Sequence, residues 1–125
     1  MNTDTLPDPF VRQADYFKAL AHPVRLQILT ILRQGEACVC HLEAVLHKRQ
    51  AYISQQVSVL KEAGLLAERK DGLFVFYRLV NPNLVALLAQ SLAFAQTQTK
   101  TETPLLVFPM LEVGQCSCPT CKPVN

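Results

Sequence analysis

Apolar positions along this chain recur first at helical spacing, then in strand alternation, then at helical spacing again. Phe10, Ala14, Phe17 and Leu20, with Arg12, Gln13 and Lys18 between them, predict a first helix. His22 followed by Pro23 reads as a cap and first helical position, after which Leu26, Ile28, Leu29 and Leu32 form a largely core-facing second helix that Gly35 stops. Leu42, Val45 and Leu46 predict a third helix of about two turns that begins near Cys38-Val39-Cys40. Over residues 50–63, Ile53, Val57 and Leu60 share one face of a fourth helix, with Gly64 placed to end it.

The period then changes to that of a strand. Residues 65–70 and 73–80 flank Asp71-Gly72, and in the second run Phe74, Phe76 and Arg78 alternate with Val75, Tyr77 and Leu79, which predicts a β-hairpin. Asn81-Pro82 opens a last helix through Leu84, Leu88, Ser91, Leu92 and Ala95, whose apolar excess needs a partner. Beyond Thr97 a polar run, TQTKTETP, leads into LLVFPML and a cysteine-rich end. The expected architecture is mainly α with a two-stranded β-wing, a winged helix-turn-helix, with residues 1–96 as one domain and 97–125 as linker and cysteine-rich tail.

In a helix-turn-helix the second helix enters the major groove. Here that is the fourth helix, whose face of Gln50, Tyr52, Ser54, Gln55 and Ser58 carries groups able to hydrogen-bond base edges, glutamine with adenine in particular. Lys48 and Arg49, just ahead of it, stand where a phosphate would approach, and Arg69, Lys70 and Arg78 bracket the hairpin turn. A polar helix face alone is most simply a solvated surface. The basic wing beside it is what points to double-stranded DNA.

Composition agrees without deciding the matter. With 125 residues, half of them hydrophobic, the chain can bury one core, and a formal charge of +2 is compatible with nucleic acid but is no strong argument for it. No run approaches the roughly 18 apolar residues of a membrane span, and MNTDTLPDPF lacks a signal-peptide pattern, so a cytoplasmic protein is expected. No base, oxyanion donor or phosphate loop is apparent, and Cys118 to Cys121 follows no strand–helix redox motif, so no enzymatic activity is expected.

The segments AHPVRLQILTIL, GEACVCHL and QAYISQQVSVLKEAGLLAERKDGLFVFYRL closely resemble the ArsR/SmtB family of metal-responsive repressors, over about residues 10 to 96. The resemblance implies a homodimer held by the first and last helices, bound to a palindromic operator and released when an inducer binds. The apolar faces of those helices fit a self-complementary interface independently.

The five cysteines fall into two clusters, Cys38/Cys40 and Cys116/Cys118/Cys121, which is not the spread of a disulfide framework. Clusters of this kind read as metal ligands or redox thiols. Cys38-Val39-Cys40 matches the family's CVC element, which the resemblance implies supplies thiolates to arsenite, cadmium or lead. The third cysteine of the arsenite sensors is replaced here by Glu43, and residues 84–95 contain neither the acids nor the histidines of the family's zinc site on the last helix. On a regular helix, residues two apart point about 200° apart, so both thiols reach one ion only if the first turn is irregular. The helix N-terminus favours the thiolate.

Missing ligands can come from Cys116, Cys118 and Cys121, since residues 97–115, at about 3.3 Å each when extended, span up to roughly 60 Å. Three arrangements stay open: a joint site of both clusters, separate sites, or one cluster spare or redox-active. Sulfur ligation selects soft ions, arsenite first, then cadmium, lead, zinc and mercury, with no permanently bound cofactor. His41 could add a nitrogen ligand, although a solvated role is simpler. In the rival reading the same DNA-binding body answers to oxidation or persulfidation of Cys116, Cys118 and Cys121.

Overall fold

In the computed structural model, which describes residues 8–99, most helix starts rest on a local side-chain acceptor. Helix α1 (Pro9–Leu20) opens where the Asp8 carboxylate accepts from the Phe10 amide at 2.7 Å. Helix α2 (Pro23–Leu32) opens where His22 Nδ1 accepts from the Val24 amide at 3.1 Å. Strand β1 (Ala37–Cys38) leads directly into α3 (Val39–Leu46), and the Cys38 sulfur accepts from the His41 amide at 3.3 Å. His47, with φ of 55°, ends α3 in the left-handed region, a conformation non-glycine residues seldom adopt. Helix α4 (Gln50–Glu62) follows after His47, Lys48 and Arg49. Strands β2 (Leu66–Asp71) and β3 (Phe74–Leu79) form the wing, and α5 (Asn83–Thr99) begins after the Asn81 side chain has accepted from the Asn83 amide at 2.9 Å.

The fold class is the expected one, mostly helical with a small antiparallel sheet, but three details differ. The sheet has three strands in the order β1-β3-β2, because Ala37 and Cys38 pair with Tyr77 and Phe76. Periodicity cannot reveal a two-residue strand. The hairpin loop is Gly72-Leu73 rather than Asp71-Gly72, since Asp71 is already paired with Phe74. Gly72 takes φ of 62° in the first loop position, where a tight hairpin of this kind requires glycine. Helix α5 also continues through the first residues of the expected linker, to Thr99.

The core lies where α2, α3 and α4 meet: Ile28, Leu29, Leu42, Ile53, Val57 and Leu60 are buried, joined by Ala19 and Leu20 of α1, Leu65, Leu66 and Leu84. A second small cluster occupies the opposite face of the sheet, where Cys38 and Phe76 are buried and Cys40 and Phe74 pack against them. Helices α1 and α5 contribute little to either. Phe10, Val11, Phe17, Val85, Leu87 and Phe94 are exposed. Among the described residues no helix is long and apolar enough to cross a membrane.

Candidate nucleic-acid interface and cysteine pair

Helix α4 is set by its buried stripe of Ile53, Gln56, Val57 and Leu60, which turns the opposite face outward. Gln50, Gln55 and Ser58 are exposed, Tyr52 and Ser54 half-buried. Tyr52, Ser54, Gln55 and Ser58 line one open depression with Arg49 and Ala51. Lys48 and Arg49 are exposed in the turn before α4, and Arg49 caps the helix without a side-chain hydrogen bond. Four of the five residues of the expected reading face, all but Gln50, therefore share one open depression.

Two residues that position it were not identified from the sequence. Gln56 is buried, and its side-chain oxygen accepts from Arg25 Nη1 at 2.9 Å. The same guanidinium donates to the carbonyls of Ala19, at 2.6 Å from Nε, and Lys18, at 3.3 Å from Nη2. A cation thus closes the C-terminus of α1 and at the same time holds α4, and charge-assisted bonds of this kind are the stronger ones. Gln56 sits beside Gln55 in a polar pair; only helix phase separates the buried amide from the exposed one. Tyr52 is also tied inward. Its hydroxyl lies 3.4 Å from His22 Nε2, and because Nδ1 accepts from the Val24 amide, the ring proton falls on Nε2 and points to that oxygen.

The wing cations divide. Lys70 and Arg78 are exposed. Arg69, expected to meet a phosphate or the minor groove, grips Glu36 in the DNA-free protomer: its Nη2 donates to Oε1 at 2.7 Å and its Nε to Oε2 at 3.0 Å, while its guanidinium carbon stands 4.6 Å above the centre of the Phe76 ring. Asp71 approaches the same guanidinium at 3.7 Å. The hydrogen bond from Arg69 holds the Glu36 carboxyl below its ordinary range. Lys61 of α4 pairs with Glu68 at 2.6 Å, which lowers the pKa of Glu68 and raises that of Lys61.

Cys38 and Cys40 are brought together, and their sulfurs are bonded to each other as a disulfide. The 200° argument does not apply because Cys38 is not on the helix: it is the last residue of β1, in extended conformation (φ −86°, ψ 165°), while Cys40 lies in the first turn. The Cα atoms are 5.3 Å apart. His41 is half-buried rather than solvated, and burial lowers its pKa. Among the described residues no group of three or more His, Cys, Asp or Glu could hold a metal ion. Cys116, Cys118 and Cys121 lie outside the described residues.

Residues 22–68 match the family described as bacterial regulatory protein, arsR family. The chain is 42% identical over 82 residues to the arsenical resistance operon repressor of Escherichia coli, covering 65% of this chain and 69% of that protein. It is 45% identical over 71 residues to the biofilm growth-associated repressor of Agrobacterium fabrum, covering 57% of this chain and 61% of that one's length. Among solved structures it is similar to the homodimeric winged helix-turn-helix DNA-binding domain Mb0332 of Mycobacterium bovis, with a TM-score of 0.64 and 28% identity, covering 75% of this chain and 91% of that one.

Proposed function

This chain belongs to the ArsR/SmtB family of winged-helix transcriptional repressors, DNA-binding regulators and not enzymes, and from that premise we propose that it is released from its operator when a soft ion binds its cysteine thiolates. The observation that carries the reading is the convergence of the Cys38 and Cys40 sulfurs at the N-terminus of α3, the helix directly ahead of the reading helix α4. Once reduced, that pair offers two thiolates to one ion. Remaining ligands come from Cys116, Cys118 and Cys121, and arsenite leads the candidates, in line with the arsenical resistance repressor among the relatives. Cadmium, lead, zinc and mercury follow.

Bound to DNA, the protein is a cytoplasmic homodimer. The exposed apolar residues of α1 and α5 supply the interface, which the homodimeric Mb0332 domain supports. Twofold symmetry then calls for a palindromic operator. Lys48, Arg49 and Lys70, with Arg69 as far as Glu36 releases it, approach phosphates, while Gln50, Tyr52, Ser54, Gln55 and Ser58 meet base edges. An ion that draws on Cys38 and Cys40 tilts the start of α3 and, through the short turn at His47, the reading helix.

One observation favours a second reading. The Cys38–Cys40 disulfide is itself a two-state element: two thiols surrender two electrons and two protons to an oxidant and become one S–S bond. An anaerobic titration of the reduced protein on a labelled operator separates the two, with arsenite, cadmium, lead and zinc added in turn and sulfur-to-metal absorbance followed beside DNA release. Release at stoichiometric loading by one ion supports the sensor and names its inducer. Loading without release, together with release by a thiol oxidant such as diamide, makes the thiol–disulfide pair the trigger.

A further inference from the structure

Across the outer face of the sheet, three residues stand in one row. Cys38 of β1 is the register partner of Phe76 of β3, and Phe76 is the register partner of Arg69 of β2. Directly opposed residues share a face and touch. The row is closed from above. Arg69 lies over the Phe76 ring and holds the carboxylate of Glu36, which sits two residues before Cys38 at the mouth of β1. Strands β1 and β2 are not neighbours in the sheet, so the Arg69–Glu36 pair straps them together over β3, with Phe76 between strap and sheet.

We propose that this strap couples the cysteine pair to the wing, with Glu36 and Arg69 acting as positioning residues for the DNA-facing hairpin; this rests on the reading that the state of Cys38 and Cys40 controls operator binding. Strand β1 is held to β3 over only two residues, and Cys38 is one of them. Cys38 is also buried against Phe76. A displacement of its sulfur toward an ion therefore acts at the weakest pairing in the sheet. It shifts Glu36 and unseats the guanidinium above Phe76, and Arg69 adjoins Lys70 in the strand that leads to the loop at Gly72-Leu73. The wing would change its angle independently of any tilt passed through α3 to α4.

The test uses the full-length reduced protein, cadmium ion as the probe, and Glu36→Ala, with Glu36→Gln in reserve should the alanine variant lose its cooperative thermal transition. Glu36 is among neither the base-facing nor the phosphate-facing residues. In the variant, ion-free operator affinity rises, because Arg69 freed from Glu36 gains access to a phosphate, so the effect of cadmium is read as a ratio within each protein; the cadmium–thiolate absorbance saturates at the same stoichiometry. The factor by which cadmium weakens operator binding, commonly about 5- to 150-fold in coupled systems, falls severalfold toward one. Without DNA, cadmium shifts the amide resonances of Lys70, Gly72 and Leu73 in the wild type and leaves them in place in the variant. A coupling factor equal to that of the wild type, or wing resonances that move equally, overturns the strap. A wild type that binds cadmium and, in a parallel arm, arsenite, with no change in operator affinity or wing resonances for either, overturns the sensing reading and the strap together, and that failure is visible in the wild-type arm by itself.

Discussion

Helices α2 and α5 are both rich in aliphatic residues, yet they meet opposite fates. Val24, Ile28, Leu29, Ile31 and Leu32 of α2 are buried, whereas in α5 only Leu84 is, and Phe94 is 63% exposed. Composition therefore does not decide which helix belongs to the core. Helix α2 lies beneath α3, α4 and the sheet, which close over it; α5 touches the body mainly through its first turns and leaves a long apolar side uncovered. Phe10 and Phe17 on α1 do the same. These exposed apolar side chains are the surface that the proposed homodimer covers. One of these helices stabilises the protomer and the other is available to join two of them.

The largest expected effect lies on the buried side. Ile28→Ala or Leu42→Ala, each at a fully buried position, should lower the unfolding free energy by about 2–5 kcal/mol in a denaturant titration. Phe94→Asp should instead leave the protomer folded by circular dichroism, shift sedimentation toward the monomer, and weaken operator binding at fixed protein concentration by at least about tenfold, or ~1.4 kcal/mol. If Phe94→Asp unfolds the protein as Ile28→Ala does, the contrast between the two helices is wrong.

Next come the two kinds of DNA contact. Gln55→Ala should cost about 1–3 kcal/mol of discrimination between operator and a base-substituted site. Lys48→Ala should weaken binding to both alike and reduce the slope of log affinity against log salt by about 1.

The smallest effect is electrostatic. Glu36 and Glu68 have pKa values lowered chiefly by hydrogen bonds from Arg69 and Lys61, so the unfolded chain binds their protons more readily than the folded one. Their contribution is complete above the ordinary carboxylate range and is lost as pH falls from that range through the lowered folded-state values. Thermal midpoints of the wild type should decline on acidification through that range, and the decline should be slightly shallower in Glu68→Gln. Equal slopes would mean that this exposed pair contributes nothing measurable.

Much of this was legible in the chain. The five helices, the hairpin and the outward polar face of α4 follow from periods of 3.6 and 2 and from caps whose partners lie two or three residues away, as at Asp8, His22 and Asn81. The two cysteine clusters were equally plain. The role of Arg69 was not: beside a hairpin turn an arginine reads as a phosphate contact, and its engagement with Glu36 and Phe76 depends on pairing that no local pattern specifies. Gln56 was missed for the same reason, since its partner Arg25 belongs to another helix.

The sequence by itself determined the element order, the membership of a DNA-binding regulator family and the presence of a soft-ligand motif, because each is carried by residues within a few positions of one another. Only the tertiary structure decided that Cys38 leaves the helix for a third strand, that its sulfur meets that of Cys40, and that Glu36 reaches Arg69 across the sheet. The longest of those contacts runs from Ala37 to Tyr77, 40 positions along the chain, and they exist only once packing has brought the strands and helices together.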